Sequence, residues 1–441
     1  MKKMRINYII LFFLVSMQLN GQENFTLEQA ISIGLENNYS IKIADVDIQI
    51  AENNDTWARA GKTPTVDLQG SFTNNLIKDN NPASFLQGTY YNGSLAATAN
   101  ANWVVYNGGR IKINKSQLAL ATDQERLNKE TGIHDLLRTI YQQYYEVIFQ
   151  KEQLIVFNQV LNLSKDRLKY ELAKKEFGSS NSFNLVQFES AVMADSNNVV
   201  SQTQSVITAK RNIYNTLDIL GVANYTFQER LSITPEVIDE EQLKTVMSEE
   251  NYTLKSLEMI NAVNQLNLEL AKAAMRPTIS LSGSVGFSQN GFKFFAENVQ
   301  TGEPFPFQAS NRLSGNFSAV ISHNLFDGGV RKADIENAKL EQEVNQFNIL
   351  DAKAELNNQL DILIDNYKNQ LTLLDITDKQ IQFAQRNLDI SEARFKSGQI
   401  TSIDFRNIQI QYQNAAFSRV GAIYSLLITK SEIDFLVGVF E

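Results

Sequence analysis

Residues 103–110 of this chain read Trp103-Val104-Val105-Tyr106-Asn107-Gly108-Gly109-Arg110, and residues 323–330, 220 positions later, read His323-Asn324-Leu325-Phe326-Asp327-Gly328-Gly329-Val330. Each copy ends a segment in which apolar and polar residues alternate, and each precedes a long stretch without proline. Glycine adopts positive φ angles readily and Asn or Asp can cap a helix, so each copy predicts a turn from a strand into a helix. The predicted turn residues are Asn107, Gly108, Gly109, Asp327, Gly328 and Gly329. A duplicated element of this kind indicates a repeat architecture.

The first 21 residues have the features of a secretory signal peptide. Lys2, Lys3 and Arg5 precede an apolar run from Ile6 to Met17, which is too short to span a bilayer as a helix. We therefore expect residues 1–21 to be removed from the mature protein. The chain contains no cysteine, which argues against disulfides, thiolate metal sites and an N-terminal lipid anchor.

The charge of the chain argues against a nucleic-acid partner. The formal net charge is −9, and it becomes −12 without the three basic residues of the signal peptide. With two histidines and no cysteine, neither a transition-metal site nor another cofactor is expected. The sequence contains no Ser-His-Asp set and no phosphate-binding glycine loop, so it gives no reason to propose an enzyme.

Four segments alternate between apolar and polar residues, as strands with one apolar and one polar face do. They cover residues 64–76, 95–105, 277–289 and 313–326. In a porin-like strand the apolar face contacts lipid and the polar face contacts water.

Most of the remaining chain predicts helix. Residues 27–60, 110–177, 182–220, 330–397 and 401–437 lack internal proline and carry apolar residues at helical spacing. The two long helices have heptad patterns typical of coiled coils, and each would be roughly 100 Å long.

Short matches recur in the same order in both halves of the chain. Asn38-Tyr39-Ser40-Ile41-Lys42 is echoed by Asn251-Tyr252-Thr253-Leu254-Lys255, at an offset of 213 residues. We therefore predict a first structural repeat over residues 22–220, a mixed equatorial insertion over 221–250 and a second repeat over 251–441, each repeat being helix, two strands, long helix and helix.

A single copy of this chain leaves two deficits. Coiled-coil seams need a partner, and four strands are too few to close a membrane barrel. Cyclic symmetry removes both deficits, because three copies supply twelve strands above a cylinder of helices.

The residues that define these elements resemble the TolC family of outer-membrane efflux proteins. The resemblance rests on Asn324-Leu325-Phe326-Asp327-Gly328-Gly329, on Arg276-Pro277-Thr278-Ile279-Ser280-Leu281 and on the helix break Phe395-Lys396-Ser397-Gly398. It implies a mainly α fold with membrane β structure: a homotrimer with a shared 12-stranded outer-membrane β-barrel, four strands per protomer, on a long periplasmic α-helical barrel of coiled coils.

The resemblance also implies a function, partners and a location. Family members are passive exit ducts of tripartite efflux pumps in the outer membrane of Gram-negative bacteria, and they extend into the periplasm. A periplasmic adaptor protein connects the duct to an inner-membrane transporter of the RND, ABC or MFS type. A component of a type I protein secretion system is the alternative. A secreted coiled-coil scaffold fits less well, because it does not explain two repeated pairs of amphipathic strands.

The same resemblance assigns roles to the two helix breaks. The adaptor-docking tip would comprise Phe177, Gly178, Ser179, Ser180, Ser397, Gly398, Gln399 and Thr401. The channel constriction would comprise Asp404, Asn407, Ile400, Asn184 and Gln187. Asp404 matches the first aspartate of the constricting ring, whereas Asn407 and Ile400 replace a second aspartate and a gate arginine. A helix-capping carboxylate is an equally weighted interpretation of Asp404.

Overall fold

The computed structural model describes residues 24–81, 83, 88–178, 182–219, 225–297 and 301–439. The predicted signal peptide, residues 1–21, lies outside these described residues. Eight helices and four strands follow one another in the described part: α1(Leu27–Asn37), α2(Tyr39–Asn54), β1(Thr65–Asp79), β2(Gly88–Asn107), α3(Arg110–Glu176), α4(Ser182–Thr216), α5(Glu240–Glu250), α6(Tyr252–Ala273), β3(Thr278–Phe294), β4(Gln308–Ser322), α7(Val330–Lys396) and α8(Ser402–Val437). No helix among these residues is both long enough and apolar enough to cross a membrane.

The four strands form one antiparallel sheet in the order β1-β2-β3-β4. Because Leu68 is opposite Ala99 and Ala99 is opposite Val285, the apolar positions of neighbouring strands lie on one face. The other face is polar, and Asn100 donates a hydrogen bond of 3.1 Å there to the Asp67 carboxylate. The predicted alternation is therefore continuous across the whole sheet, although the strands extend beyond the predicted ranges.

The register of the two hairpins follows the sequence offsets of the repeat. Leu68 is opposite Ala99 in the first hairpin. Moving Leu68 by 213 positions and Ala99 by 220 gives Leu281 and Ala319, which are opposite each other in the second hairpin. Both hairpins thus have the same register, while the division of the chain at residues 220 and 251 stays a prediction.

Both strand-to-helix turns use left-handed glycines. Gly108 and Gly109 have φ angles of +74° and +93°, and Gly328 and Gly329 have φ angles of +70° and +92°. The Asn107 side chain accepts a hydrogen bond of 3.0 Å from the Ile111 amide at the start of α3. Asp327 caps α7 in the same way, accepting from the Gly329 amide at 3.1 Å and from the Arg331 amide at 3.2 Å.

The prediction of one helix over residues 27–60 was wrong, because the chain breaks at Asn38. The Asn38 side chain accepts a hydrogen bond of 2.9 Å from the Ser40 amide and donates one of 3.2 Å to the Thr216 carbonyl at the end of α4. Its counterpart Asn251 accepts from the Thr253 amide at 2.9 Å and donates to the Leu436 carbonyl of α8 at 2.8 Å. An asparagine that caps one helix and binds the end of another can break a helix without glycine or proline.

Residue contacts divide the chain into two compact units. One comprises Met1–Val46, Leu127–Lys255 and Leu350–Glu441, and the other comprises Asp47–Arg126 and Ser256–Ile349. The second unit contains the sheet. The first contains three clusters of buried apolar side chains, centred on Tyr144 and Phe227, on Leu360 and Tyr367, and on Phe395 and Phe405.

Candidate functional site at the helix turns

The turn between α7 and α8 is closed by backbone geometry. Gly398 has a φ of +75°, and its amide donates to the Phe395 carbonyl at 3.0 Å. The Gln399 amide donates to the Arg394 carbonyl at 2.8 Å. These two bonds form a Schellman motif, which satisfies the last carbonyls of a helix. The predicted tip residue Ser397 donates from its hydroxyl to the same Arg394 carbonyl at 3.1 Å.

The turn between α3 and α4 begins in the same way. Gly178 has a φ of +70° and donates to the Lys175 carbonyl at 2.9 Å. Phe177 before it is 83% exposed. The predicted tip residues Ser179 and Ser180 lie outside the described residues.

Asp404 is part of a capping box at the start of α8. Its carboxylate accepts hydrogen bonds from the Thr401 hydroxyl at 2.7 Å and the Thr401 amide at 3.0 Å, while its own amide donates to Thr401 Oγ1 at 3.1 Å. These bonds, first the one from the side chain and then the one from the backbone, hold the pKa of Asp404 below its ordinary value. The exposed carboxylate therefore stays ionised at neutral pH and carries negative charge at the helix N-terminus, as the capping interpretation requires.

The other predicted constriction residues occupy different environments. Asn407 is exposed, and Gln187 is half-buried. Ile400 packs against the cluster that contains Phe395 and Phe405. Asn184 accepts a hydrogen bond of 3.2 Å from the Ser402 hydroxyl, so the structure brings the start of α4 next to the start of α8. Their role in a constriction stays a prediction.

Beside these turns lies a buried polar network that the sequence analysis missed. Asp195 of α4 is 1% exposed and forms a bidentate ion pair with Arg406 of α8, with both N–O distances at 2.7 Å. Ser164 of α3 donates to the same carboxylate at 2.6 Å. Gln409 of α8 donates to Ser164 Oγ at 2.9 Å and to the Val160 carbonyl at 3.0 Å. The network joins three helices and leaves neither carboxylate oxygen of Asp195 without a donor.

A second buried cation lies closer to the turns. Arg167 of α3 is almost fully buried, forms an ion pair with Glu392 of α7 and lies 4.9 Å from the ring centre of Phe405. Lys396 and then Arg167 lower the pKa of Glu392 by donating to its carboxylate. Ion pairs therefore connect α3 to α7 as well as α4 to α8.

The spacing of α4 contained a signal for this network. The analysis of heptads selected Val186, Met193 and Val200, which are exposed in the single chain. The buried face follows a different pattern with steps of three and four: Leu185, Phe188, Val192, Asp195, Gln202, Val206, Ala209 and Ile213. Asp195 and Gln202 are the polar positions of that seam, and a polar residue in a coiled-coil seam points to a specific partner.

The described residues hold no group of His, Cys, Asp and Glu side chains arranged to bind a metal ion.

Residues 247–439 match a protein family described as outer membrane efflux protein. No curated protein matches the chain. Among solved structures, CusC superimposes with a TM-score of 0.73 at 15% identity, covering 95% of this chain and 93% of CusC. The CmeC outer membrane channel of Campylobacter jejuni gives 0.72 at 15% identity, covering 93% of this chain and 85% of its own. The MtrE outer membrane channel of Neisseria gonorrhoeae gives 0.72 at 16% identity, covering 94% and 89%. These comparisons confirm the predicted fold class and the resemblance to the TolC family.

Proposed function

We propose that this chain, whose residues 247–439 belong to the outer membrane efflux protein family, is one protomer of a trimeric outer-membrane exit channel in a tripartite export system. The observation that carries the proposal is the sheet. One of its faces is apolar and the other polar, and within the described residues its outer strands β1 and β4 each have a neighbour on one side only. Such a sheet is suited to lipid on one face, water on the other and further strands at both edges.

The internal repeat predicts how the next copy would pair. Strand β2 of the first repeat pairs with β3 of the second, where Ala99 is opposite Val285. In a ring of copies, β4 would pair with β1 of the next copy in the equivalent register. Adding 220 to position 99 and subtracting 213 from position 285 gives Ala319 opposite Phe72 of that copy.

Engineered disulfides test both the trimer and this register. Directly opposite residues of antiparallel strands have Cα atoms about 4.5–5.5 Å apart, which suits a disulfide. The natural chain has no cysteine, so there is no background of other cross-links. The variant Ala319→Cys with Phe72→Cys, oxidised in isolated outer membranes, is expected to give covalent trimers on a denaturing gel.

A matched control uses Ala319→Cys with Leu68→Cys. It lies on the same face but four residues away in register, at about 13 Å, beyond the reach of a disulfide. Cross-linking in the control pair alone, or a ladder of oligomers that extends beyond three chains, would show that the proposed ring is wrong.

The helices support the same assembly. In the single chain, α4 and α7 each expose apolar side chains seven residues apart: Val186, Met193 and Val200 on α4, and Ile376, Phe383 and Ile390 on α7. Stripes of this spacing are coiled-coil seams without a partner helix. Packing α4 of one copy against α7 of the next would cover both stripes in a closed ring of head-to-tail contacts.

The partners and the site residues belong to the same proposal. The turns Phe177–Ser180 and Ser397–Thr401 are the surfaces that a periplasmic adaptor would contact, and the adaptor would connect the channel to an inner-membrane transporter. The exposed carboxylate of Asp404, repeated three times, would line the constriction together with Asn407. This places the protein in the outer membrane of a Gram-negative bacterium, with the helices in the periplasm.

A further inference from the structure

A cleft of about 700 Å³ lies in the unit that contains α1, α4 and α8, away from both helix turns. The start of α1, the middle of α3 and the segment around residue 229 form its walls. Neither the proposed channel function nor the site at the helix turns uses this cleft.

Three tyrosines of α3 line the cleft, and their rings face different directions. The rings of Tyr141 and Tyr145 are 4.7 Å apart between centres and inclined by 52°. The rings of Tyr144 and Tyr145 are 5.4 Å apart and nearly perpendicular, at 87°. Tyrosine rings at such angles form the walls of a cage instead of a stack, and the electron-rich face of each ring attracts cations.

The charged side chains of the cleft are all negative. Glu28 and Glu229 line it, and no lysine or arginine is among the described residues that do so. The Tyr144 hydroxyl donates a hydrogen bond of 2.7 Å to the Glu229 carboxylate and so fixes one of these charges beside the rings. Neither carboxylate forms an ion pair within the described ranges, and the neighbouring Arg230 pairs with Glu152 at 3.3 Å instead.

We propose that this cleft binds an organic cation, an alkylammonium or guanidinium group, between the rings of Tyr141, Tyr144 and Tyr145 and the carboxylates of Glu229 and Glu28. Aromatic rings with a nearby carboxylate favour a large, weakly hydrated cation over a small, strongly hydrated metal ion. The volume of the cleft exceeds that of a simple alkylammonium ion, so a side chain of a protein partner fits as well as a free molecule. The proposal does not depend on the export function.

Isothermal titration of the purified full-length protein in detergent tests the proposal with two probes. Tetramethylammonium represents a free organic cation, and N-acetyl-argininamide represents a basic side chain of a protein. At least one probe is expected to bind with a dissociation constant of about 1 mM or lower, whereas sodium at equal ionic strength gives no saturable heat. Preference for tetramethylammonium would assign the cleft to small molecules, and preference for the argininamide would assign it to a protein partner.

Two variants make the test specific. Glu229→Gln keeps an acceptor for the Tyr144 hydroxyl but removes the charge, and Tyr145→Leu removes the ring that both other tyrosines contact. Each is expected to weaken binding about tenfold, while Glu258→Gln, an exposed carboxylate on α6 outside the cleft, leaves binding unchanged. Absence of binding for both probes, or equal affinity in Glu229→Gln and the unchanged protein, would overturn the proposal.

Discussion

Removal of the Asp195 carboxylate is expected to be among the most destabilising single changes near the helix turns. In Asp195→Ala, Arg406 keeps its charge but loses both bonds of 2.7 Å, and Ser164 loses its acceptor. Breaking a buried ion pair from one side costs about 3–5 kcal/mol. The Arg406 side chain is 24% exposed, so water can reach it, and the expected loss is near the lower end, about 3 kcal/mol.

An exposed ion pair of the same length is the control. Asp375 and Lys379 lie 2.7 Å apart on α7, and both side chains are about two-thirds exposed. Asp375→Ala is therefore expected to cost only about 0.3–0.5 kcal/mol. The double variant Asp195→Leu with Arg406→Met removes both charges, and we expect it to recover most of the stability that Asp195→Ala loses.

Thermal unfolding followed by circular dichroism, on trimers in the same detergent, compares the four proteins. Asp195→Ala should unfold several degrees below the unchanged protein, with Asp375→Ala and the double variant close to it. Equal unfolding temperatures for Asp195→Ala and Asp375→Ala would refute the assignment of a buried, desolvated pair. A double variant that is even less stable than Asp195→Ala would show that the pair is net stabilising, against the reasoning from desolvation.

Two further predictions concern the turns. A Cβ at Gly108 would lie 2.4 Å from the Ala273 carbonyl oxygen, whereas a Cβ at Gly328 meets nothing within 4 Å in the single chain; Gly108→Ala should therefore lower the yield of folded chain, at about 2–4 kcal/mol, while Gly328→Ala should reduce only the trimer fraction on size exclusion. Gly328→Ala that trimerises fully would contradict a packed neighbour at that turn. Because hydrogen bonds lower the pKa of Asp404 in the folded state, its contribution to stability is present at neutral pH and is lost as the pH falls below its ordinary value of 3.8. Asp404→Asn should thus unfold at a lower temperature than the unchanged protein at pH 7 but not at pH 3, and an equal difference at both pH values would count against the capping role.

The sequence predicted the elements whose signal is local. Alternation located all four strands, and the Asx-Gly-Gly turns located the start of both long helices, which α3 and α7 confirm. The offsets of 213 and 220 residues also contained the common register of the hairpins, since pairing within a repeat is set by its own turn and faces.

The parts that the sequence did not predict depend on contacts between distant residues. The break at Asn38 requires the Thr216 carbonyl, 178 residues away, to bind the Asn38 amide group. A helix pattern read along residues 27–60 contains no trace of that carbonyl. The ion pair of Asp195 with Arg406 spans 211 residues, and an aspartate in a heptad pattern reads equally well as a solvated residue until its partner is placed.

The position of this pair within the coiled coils suggests why a charge is buried there. Helices that meet through apolar residues at steps of three and four can slide by a heptad, about 10 Å, and still bury a seam. A single polar layer prevents such sliding, because any other register leaves Asp195 facing apolar side chains without a donor. The start of α4 and the start of α8 lie side by side only in the observed register, where Ser402 reaches Asn184 at 3.2 Å. We infer that the network fixes the relative height of the two helix turns, and with it the surface that three copies would present to a partner.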